Sequence, residues 1–205
     1  PLYDIDRELA LLGGRDSGTP ARGGYVRAEL VTRLANVASL EGLQRIFVED
    51  RPVMVLHAAA YKHVPIVEAN IVEGIHNNIF STWYAAEAAI DAGVETFVLV
   101  STDKAVNPTN VMGTTKRFGE MVLQGLQQRG TRTKLCIVRF GNVLESSGSV
   151  VPLFREQIRR GGPVSVTHKD FIHYFMTIPE ASQLVIQAGS MAKSGGLPLV
   201  PLTPC

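Results

Sequence analysis

Cysteine is nearly absent: Cys136 and Cys205 are the only two in 205 residues. Two distant thiols make neither a disulfide framework nor a zinc site, so a reducing compartment is the expected setting and no metal centre is expected. Cys136 lies in an apolar run and reads as a core residue rather than a nucleophile. An excess of charge of one sign is also lacking. With 20 basic and 19 acidic side chains the net charge is +1, which argues against nucleic acid or an anionic membrane as the main partner. No apolar run approaches the roughly 20 residues that span a bilayer, and no secretory leader is visible. The chain is therefore expected to be cytoplasmic, with no membrane segment of its own. The glycines of Gly13–Gly24 neither follow a strand nor open a helix, so they read as a surface connection rather than a phosphate loop.

What is present suits one folded α/β domain. Hydrophobic residues make up 45% and charged residues 19%, a balance that favours a globular chain over a disordered one. Leu2, Ile5, Leu9 and Leu12 recur at helical spacing. Tyr25–Leu34 alternates loosely and suits a strand, and Ser39 can cap a helix that buries Leu43, Ile46 and Phe47. Val53–His57, Thr96–Ser101 and Lys134–Arg139 read as short buried parallel strands. Between them the pattern predicts a long helix over Asn70–Ala92, stopped by Gly93, and another from Met112 to about Gln128, ended by Gly130. A helix over Val150–Arg160, a short strand over Tyr174–Ile178 and a helix opening at Pro179 complete the series.

The segment Ser101–Lys116 concentrates the chemistry. In open α/β sheets ligands sit just beyond the carboxyl ends of the strands. There Ser101, Thr102, Asp103 and Lys104 place hydroxyls, a carboxylate and an ammonium side by side. Met112 and Lys116, four residues apart, share one face of the following helix. Small residues after the preceding strand, Ala58, Ala59 and Ala60, allow a ligand to approach the backbone closely, and Lys62 and His63 follow them. His57 reads as a packed histidine near its strand end.

These residues resemble the extended short-chain dehydrogenase/reductase superfamily, and within it the nucleotide-sugar 4,6-dehydratases of polysaccharide biosynthesis (CapD-like). The likeness is strongest over Ala58–Pro65 and Ser101–Lys116, weaker over Arg139–Val143, and covers residues 1–195. It implies a Rossmann-type doubly wound parallel sheet that lacks its first β-α-β unit, followed by a divergent tail, 196–205, with three prolines and no strand-like acidic sequence. It also implies NAD as cofactor (NADP is possible), a UDP-sugar as substrate, and a homo-oligomer formed through helices 70–92 and 112–128. The family's motifs place Thr102, Asp103, Lys104, Met112 and Lys116 in the catalytic centre. They place Asn36, Ala58, Ala59, Ala60, Asn78, Ser101 and Lys116 beside the cofactor. Lys62, His63, Asn142, Ser147 and His173 fall beside the substrate. Two departures stand out. Met112 occupies the place of the usual tyrosine, as it also does in a branch of large membrane-anchored relatives. His173 stands near a usual arginine and would be a weaker, pH-dependent phosphate ligand.

The implied reaction oxidises the hexose at C4, removes water across C5 and C6, and reduces C6. The elimination needs a base near C5 and an acid near O6, roles that fall to Lys104 and Asp103. Thr102 would bond O4, and Lys116 the ribose. Met112 can neither give nor take a proton. Two alternatives stay open: a catalytically incomplete chain that binds a nucleotide sugar or a partner subunit, and a 4-epimerase or reductase. The family's Gly-x-x-Gly-x-x-Gly turn is not found. On that ground the isolated chain is expected to bind NAD weakly, to be inactive, and to expose an apolar sheet edge.

Overall fold

The computed structural model describes residues 30–144, 146, 150–166, 174–192 and 199–200, together with Ile5, Arg7 and Leu9. The chain divides into two compact units, Pro1–Ala35 and Asn36–Cys205. In the first, Ile5, Arg7 and Leu9 are helical, as the apolar spacing predicts. The strand expected over Tyr25–Leu34 is not formed in its described part. Residues 30–34 are irregular, with Val31 and Leu34 exposed. Alternation makes a strand only where a neighbour completes the hydrogen-bond ladder, and no described ladder includes these residues.

The second unit alternates strands and helices. It runs α1 (Leu40–Asp50), β1 (Met54–His57), α2 (Val64–Ala69), α3 (Ile71–Ile75), a π-helical turn (His76–Phe80), α4 (Ser81–Asp91), β2 (Thr96–Thr102), a 3₁₀ turn (Asp103–Ala105) and α5 (Val111–Gln128). It continues through β3 (Lys134–Phe140), β4 (Asn142–Val143), α6 (Val150–Arg159), β5 (Phe175–Met176), α7 (Ile178–Met191) and β6 (Leu199–Val200). Strands β1-β2-β3-β6 form one parallel sheet in that order, and β4 pairs with β5 in a small second one.

The helix ends follow from local chemistry. Ser39 accepts a bond from Gly42 N at α1, Asn110 one from Gly113 N at α5, and Thr177 and Glu180 form a reciprocal capping box at α7. Past α4, Gly93 takes φ 71°, a left-handed value that glycine adopts without a Cβ penalty.

Period-two alternation explains how both faces of the sheet are covered. Phe97, Leu99, Leu135 and Ile137 project to one side and pack on Ala85, Ala86, Ala88 and Ala89 of α4, Leu123 and Leu126 of α5, and Leu43 of α1. Val98, Cys136 and Val138 project to the other and meet Val185 and Ala188 of α7. Helices on both faces of a parallel sheet make the fold a doubly wound, Rossmann-type one. Burial pushes the Cys136 thiol up to about 11, in keeping with a core role.

Two expectations need correction. Val53–His57 is not a buried strand: among the described residues β1 lies at the sheet edge, with only His57 buried and with Met54 and Leu56 40% and 49% exposed. An edge strand is paired and packed on one side only. The tail, expected to hold no strand, supplies β6, whose Leu199 and Val200 pair with Ile137 and Val138.

Candidate functional site

The strand ends and the loops after them enclose a cavity of about 440 Å³. Ala58, Ala60, Lys62 and His63 line it from the segment after β1, Ser101, Thr102 and Lys104 from the end of β2, Met112 and Lys116 from α5, and Asn142 from β4. These were read as site residues in the sequence, and the fold brings them to one place. Tyr61, Val100 and Phe140 also line the cavity; Tyr61 sits inside the Ala58–Pro65 string without having been singled out.

The polar centre is compact. Thr102 Oγ1 donates to Asp103 Oδ1 at 2.8 Å, and Lys104 Nζ donates to the same oxygen at 3.3 Å and to Asn142 Oδ1 at 3.3 Å. The 3₁₀ turn makes this possible: Lys104 N donates to Asp103 Oδ1 at 2.8 Å, folding the carboxylate back over the strand end. Asp103 is not itself among the lining residues and reaches the cavity through Thr102 and Lys104. Nearby, Lys62 Nζ donates to Ser146 Oγ at 3.4 Å.

Lys116 is the buried cation of the site. Its Nζ donates to Val100 O at 2.7 Å, which ties α5 to β2. Burial pushes its pKa down to about 8, and the charge of Glu120 one turn along opposes that fall. His57, also buried, is driven down to about 3, first by burial and then by the positive Lys116. It is therefore neutral at pH 7, bonded to Thr82 Oγ1 at 3.2 Å. Met112 is 4% exposed and walls the cavity with its thioether.

Several expected site residues do other things. Asn78, in the π-helical turn, is fully buried. It accepts from Tyr61 N at 2.7 Å and donates to Tyr61 O at 3.0 Å and Thr115 Oγ1 at 2.9 Å. It braces the backbone of the cavity wall, as the resemblance implies for an asparagine at this place, and is not among the cavity's lining residues. π-turns recur at functional sites, but no local pattern in the sequence announces this one. Asn36 is exposed, and its side chain accepts from Ala38 N at 2.9 Å in an Asx turn. Ala59 is exposed outside the lining. Ser147 and His173 lie outside the described residues. Ser101 reaches the cavity but gives its hydroxyl to Glu120 at 2.7 Å. Glu120 is wholly buried and was missed in the sequence, although it falls four residues after Lys116 on the same helical face.

A doubly wound parallel sheet, with a Thr-Asp-Lys cluster at its strand ends and a lysine on the next helix, is the arrangement that the resemblance to extended short-chain dehydrogenases/reductases implies. The chain belongs to the polysaccharide biosynthesis protein family, whose sequence model matches residues 15–203. It is 49% identical over 194 residues to a capsular polysaccharide biosynthesis protein, CapD, of Staphylococcus aureus, covering 95% of this chain and 31% of that one. Among solved structures it resembles Pen from Bacillus thuringiensis, with a TM-score of 0.79 and 29% identity, over 94% of this chain and 56% of that one. The dTDP-glucose 4,6-dehydratase DesIV of Streptomyces venezuelae, solved with NAD, shares the fold at a TM-score of 0.69 and 18% identity, over 81% of this chain and 56% of that one. The chain thus spans about a third of the length of CapD and just over half of these two structures. Among the described residues no helix is long and apolar enough to cross a membrane.

Proposed function

We propose that this chain carries the catalytic centre of a nucleotide-sugar 4,6-dehydratase that acts with NAD on a UDP-linked hexose such as UDP-N-acetylglucosamine. The observation that carries the reading is the hydrogen-bonded set Thr102–Asp103–Lys104–Asn142, of which Thr102, Lys104 and Asn142 line the cavity. Epimerisation or simple reduction at C4 needs no acid and base for eliminating water; a dehydration does. Lys104 is the base for the C5 proton and Asp103 the acid for the departing O6. Thr102 orients O4, and Asn142 keeps Lys104 aimed into the cavity.

The residues suit the nicotinamide and ribose part of a dinucleotide. Ala58 and Ala60 leave room beside the backbone, and Lys116 supplies a buried cation at the strand end. NAD bound there would provide a hydride acceptor and donor. Met112 excludes water from that wall and moves no proton, so the C4 hydroxyl must lose its proton to Thr102 and the groups bonded to it.

The test is product analysis after incubation with UDP-N-acetylglucosamine and NAD in D₂O. Run on a version extended at the N-terminus, it is expected to give a 4-keto-6-deoxy sugar carrying deuterium at C5, while the 205-residue chain alone is expected to turn nothing over. A C4 epimer makes the chain an epimerase, and unchanged substrate with tight binding makes it a binding module.

A homo-oligomer through the helical face is part of the same proposal. Val72 of α3, Trp83 of α4, and Phe118 and Met121 of α5 leave large apolar surfaces exposed on helices that pack together. Sedimentation at micromolar protein is expected to show a dimer that Phe118→Lys with Met121→Lys dissociates. A monomeric parent chain removes the oligomer from the proposal.

A further inference from the structure

Glu120 is wholly buried in α5, one turn beyond Lys116. Ser101 and Arg139 are register partners in β2 and β3, so their side chains leave the sheet on the same face. Both end on this carboxylate. Ser101 Oγ donates to it at 2.7 Å, Arg139 Nε at 2.7 Å with a second guanidinium nitrogen on the other oxygen, and Arg117 adds a donor at 2.9 Å. A buried ion pair is weak grounds for stability, because desolvation costs about as much as pairing returns. Its location suggests a different purpose. Ser101 immediately precedes Thr102, and Arg139 lies three residues before Asn142. Lys116, held on Val100 O, is fixed to the same strand end.

We propose that Glu120 is a positioning residue: through Ser101 and Arg139 it clamps the ends of β2 and β3 that present Thr102 and Asn142 to the helix that presents Met112 and Lys116. The inference rests on reading those four residues as the active site, and it adds a group that touches neither substrate nor cofactor. Burial pushes the Glu120 carboxyl up, but the bonds from Arg139, Ser101 and Arg117 outweigh it and hold the group below the usual carboxylate range. It is therefore an anion at neutral pH. Around Lys116 stand His57 from β1, neutral at pH 7, Lys104 across the cavity, and Glu120 with Arg117 and Arg139 behind it. Glu120 is the anion that keeps Lys116 charged in its buried place.

The sign of the effect follows. Glu120→Gln keeps the shape and removes the charge, so Lys116 should lose its proton at lower pH; Arg139→Gln leaves Glu120 less compensated and should do the opposite. Two readouts decide. The first is the pH titration of the Lys116 side-chain NMR signal, assigned with Lys116→Arg, on the 205-residue chain. The second is kcat and KM for UDP-N-acetylglucosamine across the same pH range, in a version extended at the N-terminus. In Glu120→Gln the Lys116 midpoint should fall from about 8 by about one pH unit. At about pH 8, kcat should drop about fivefold with KM within about twofold. Much of that loss should return at about pH 6.5, where Lys116 regains its proton. A loss equal at every pH, with an unmoved midpoint, overturns the proposal. If Glu120→Gln does not fold, Arg139→Gln and Arg139→Lys decide. Lysine restores the charge without the two-pronged geometry, so it should return the midpoint but not kcat; recovery of both, or of neither, overturns the clamp. An N-terminally extended parent that turns nothing over sinks the proposed dehydration alone. In that case midpoints moving in opposite directions sustain the role of Glu120, and unmoved midpoints end it.

Discussion

Lys104→Ala, made in a version extended at the N-terminus, is expected to lower turnover of UDP-N-acetylglucosamine by about a thousandfold or more, and Asp103→Asn by a comparable factor, with NAD affinity little changed. General acid–base catalysis by one placed group contributes about 10²–10⁴ in rate, or roughly 3–5 kcal/mol of barrier, and a dehydration needs both groups. The fold should be nearly indifferent. The two side chains are 31% and 27% exposed, and a partly exposed ion pair contributes only about 0–1 kcal/mol to stability. Truncating either one leaves no buried charge without a partner. Rate and melting temperature should therefore separate cleanly, which a core residue could not show. Turnover within about tenfold of the parent, roughly 1.4 kcal/mol, would remove the pair from the chemistry. Thr102→Val is the instructive companion. It deletes the hydroxyl that donates to Asp103 at 2.8 Å, and should slow the oxidation at C4 and, with it, exchange of the C5 proton, which becomes acidic only once the C4 ketone has formed.

How legible these parts were in the sequence depends on whether the determinant was local. Strands β2 and β3 are near-continuous apolar runs, and α5 has its cap at Asn110 and its stop at Gly130, so each could be bounded to within a residue or two. The Thr102–Lys104 cluster was readable because it follows one of those strands directly. The exposure of β1 was not readable in the strand itself, because Met54-Val-Leu-His57 has the same composition as a central strand and only its neighbours decide; the expectation of an exposed apolar edge came from the family turn that the sequence does not match. Residues 30–34 failed for the same reason. The π-helical turn at His76–Phe80 leaves no signature in a stretch that reads as plain helix. Glu120 is the informative miss. Met112, Lys116, Glu120 and Leu123 recur at helical spacing on one face, and all are buried, so a charge on the apolar stripe was visible. What could not be seen was its partner, since Ser101 and Arg139 meet only through the β2–β3 register.

Gly113→Ala should damage both stability and turnover, although helix propensity alone predicts the reverse. Within a helix, alanine is favoured over glycine by about 1 kcal/mol. Gly113 lies in the first turn of α5, where its amide donates to the capping Asn110 side chain at 2.8 Å. A Cβ added there would stand 2.5 Å from Lys104 O and 3.2 Å from Lys104 C. Both atoms are backbone, in the turn that aims Lys104 and Asp103, so no side chain can swing aside to make room. Either α5 backs away from the strand end or the 3₁₀ turn is displaced. Overpacking of this kind costs about 1–3 kcal/mol, and a displacement of about 1 Å at a catalytic group can cost about a hundredfold in rate. The same helix carries its own control. Gly125 is exposed, and its added Cβ would meet nothing within 4 Å, so Gly125→Ala should stabilise by about 0.5–1 kcal/mol and leave kcat alone. In a chain of this size each kcal/mol moves the melting temperature by about 2–4 °C, so scanning calorimetry should move the two variants in opposite directions. If Gly113→Ala is as stable and as active as Gly125→Ala, then α5 does not pack against the Lys104 carbonyl, and the placement of the acid–base pair by that contact is wrong.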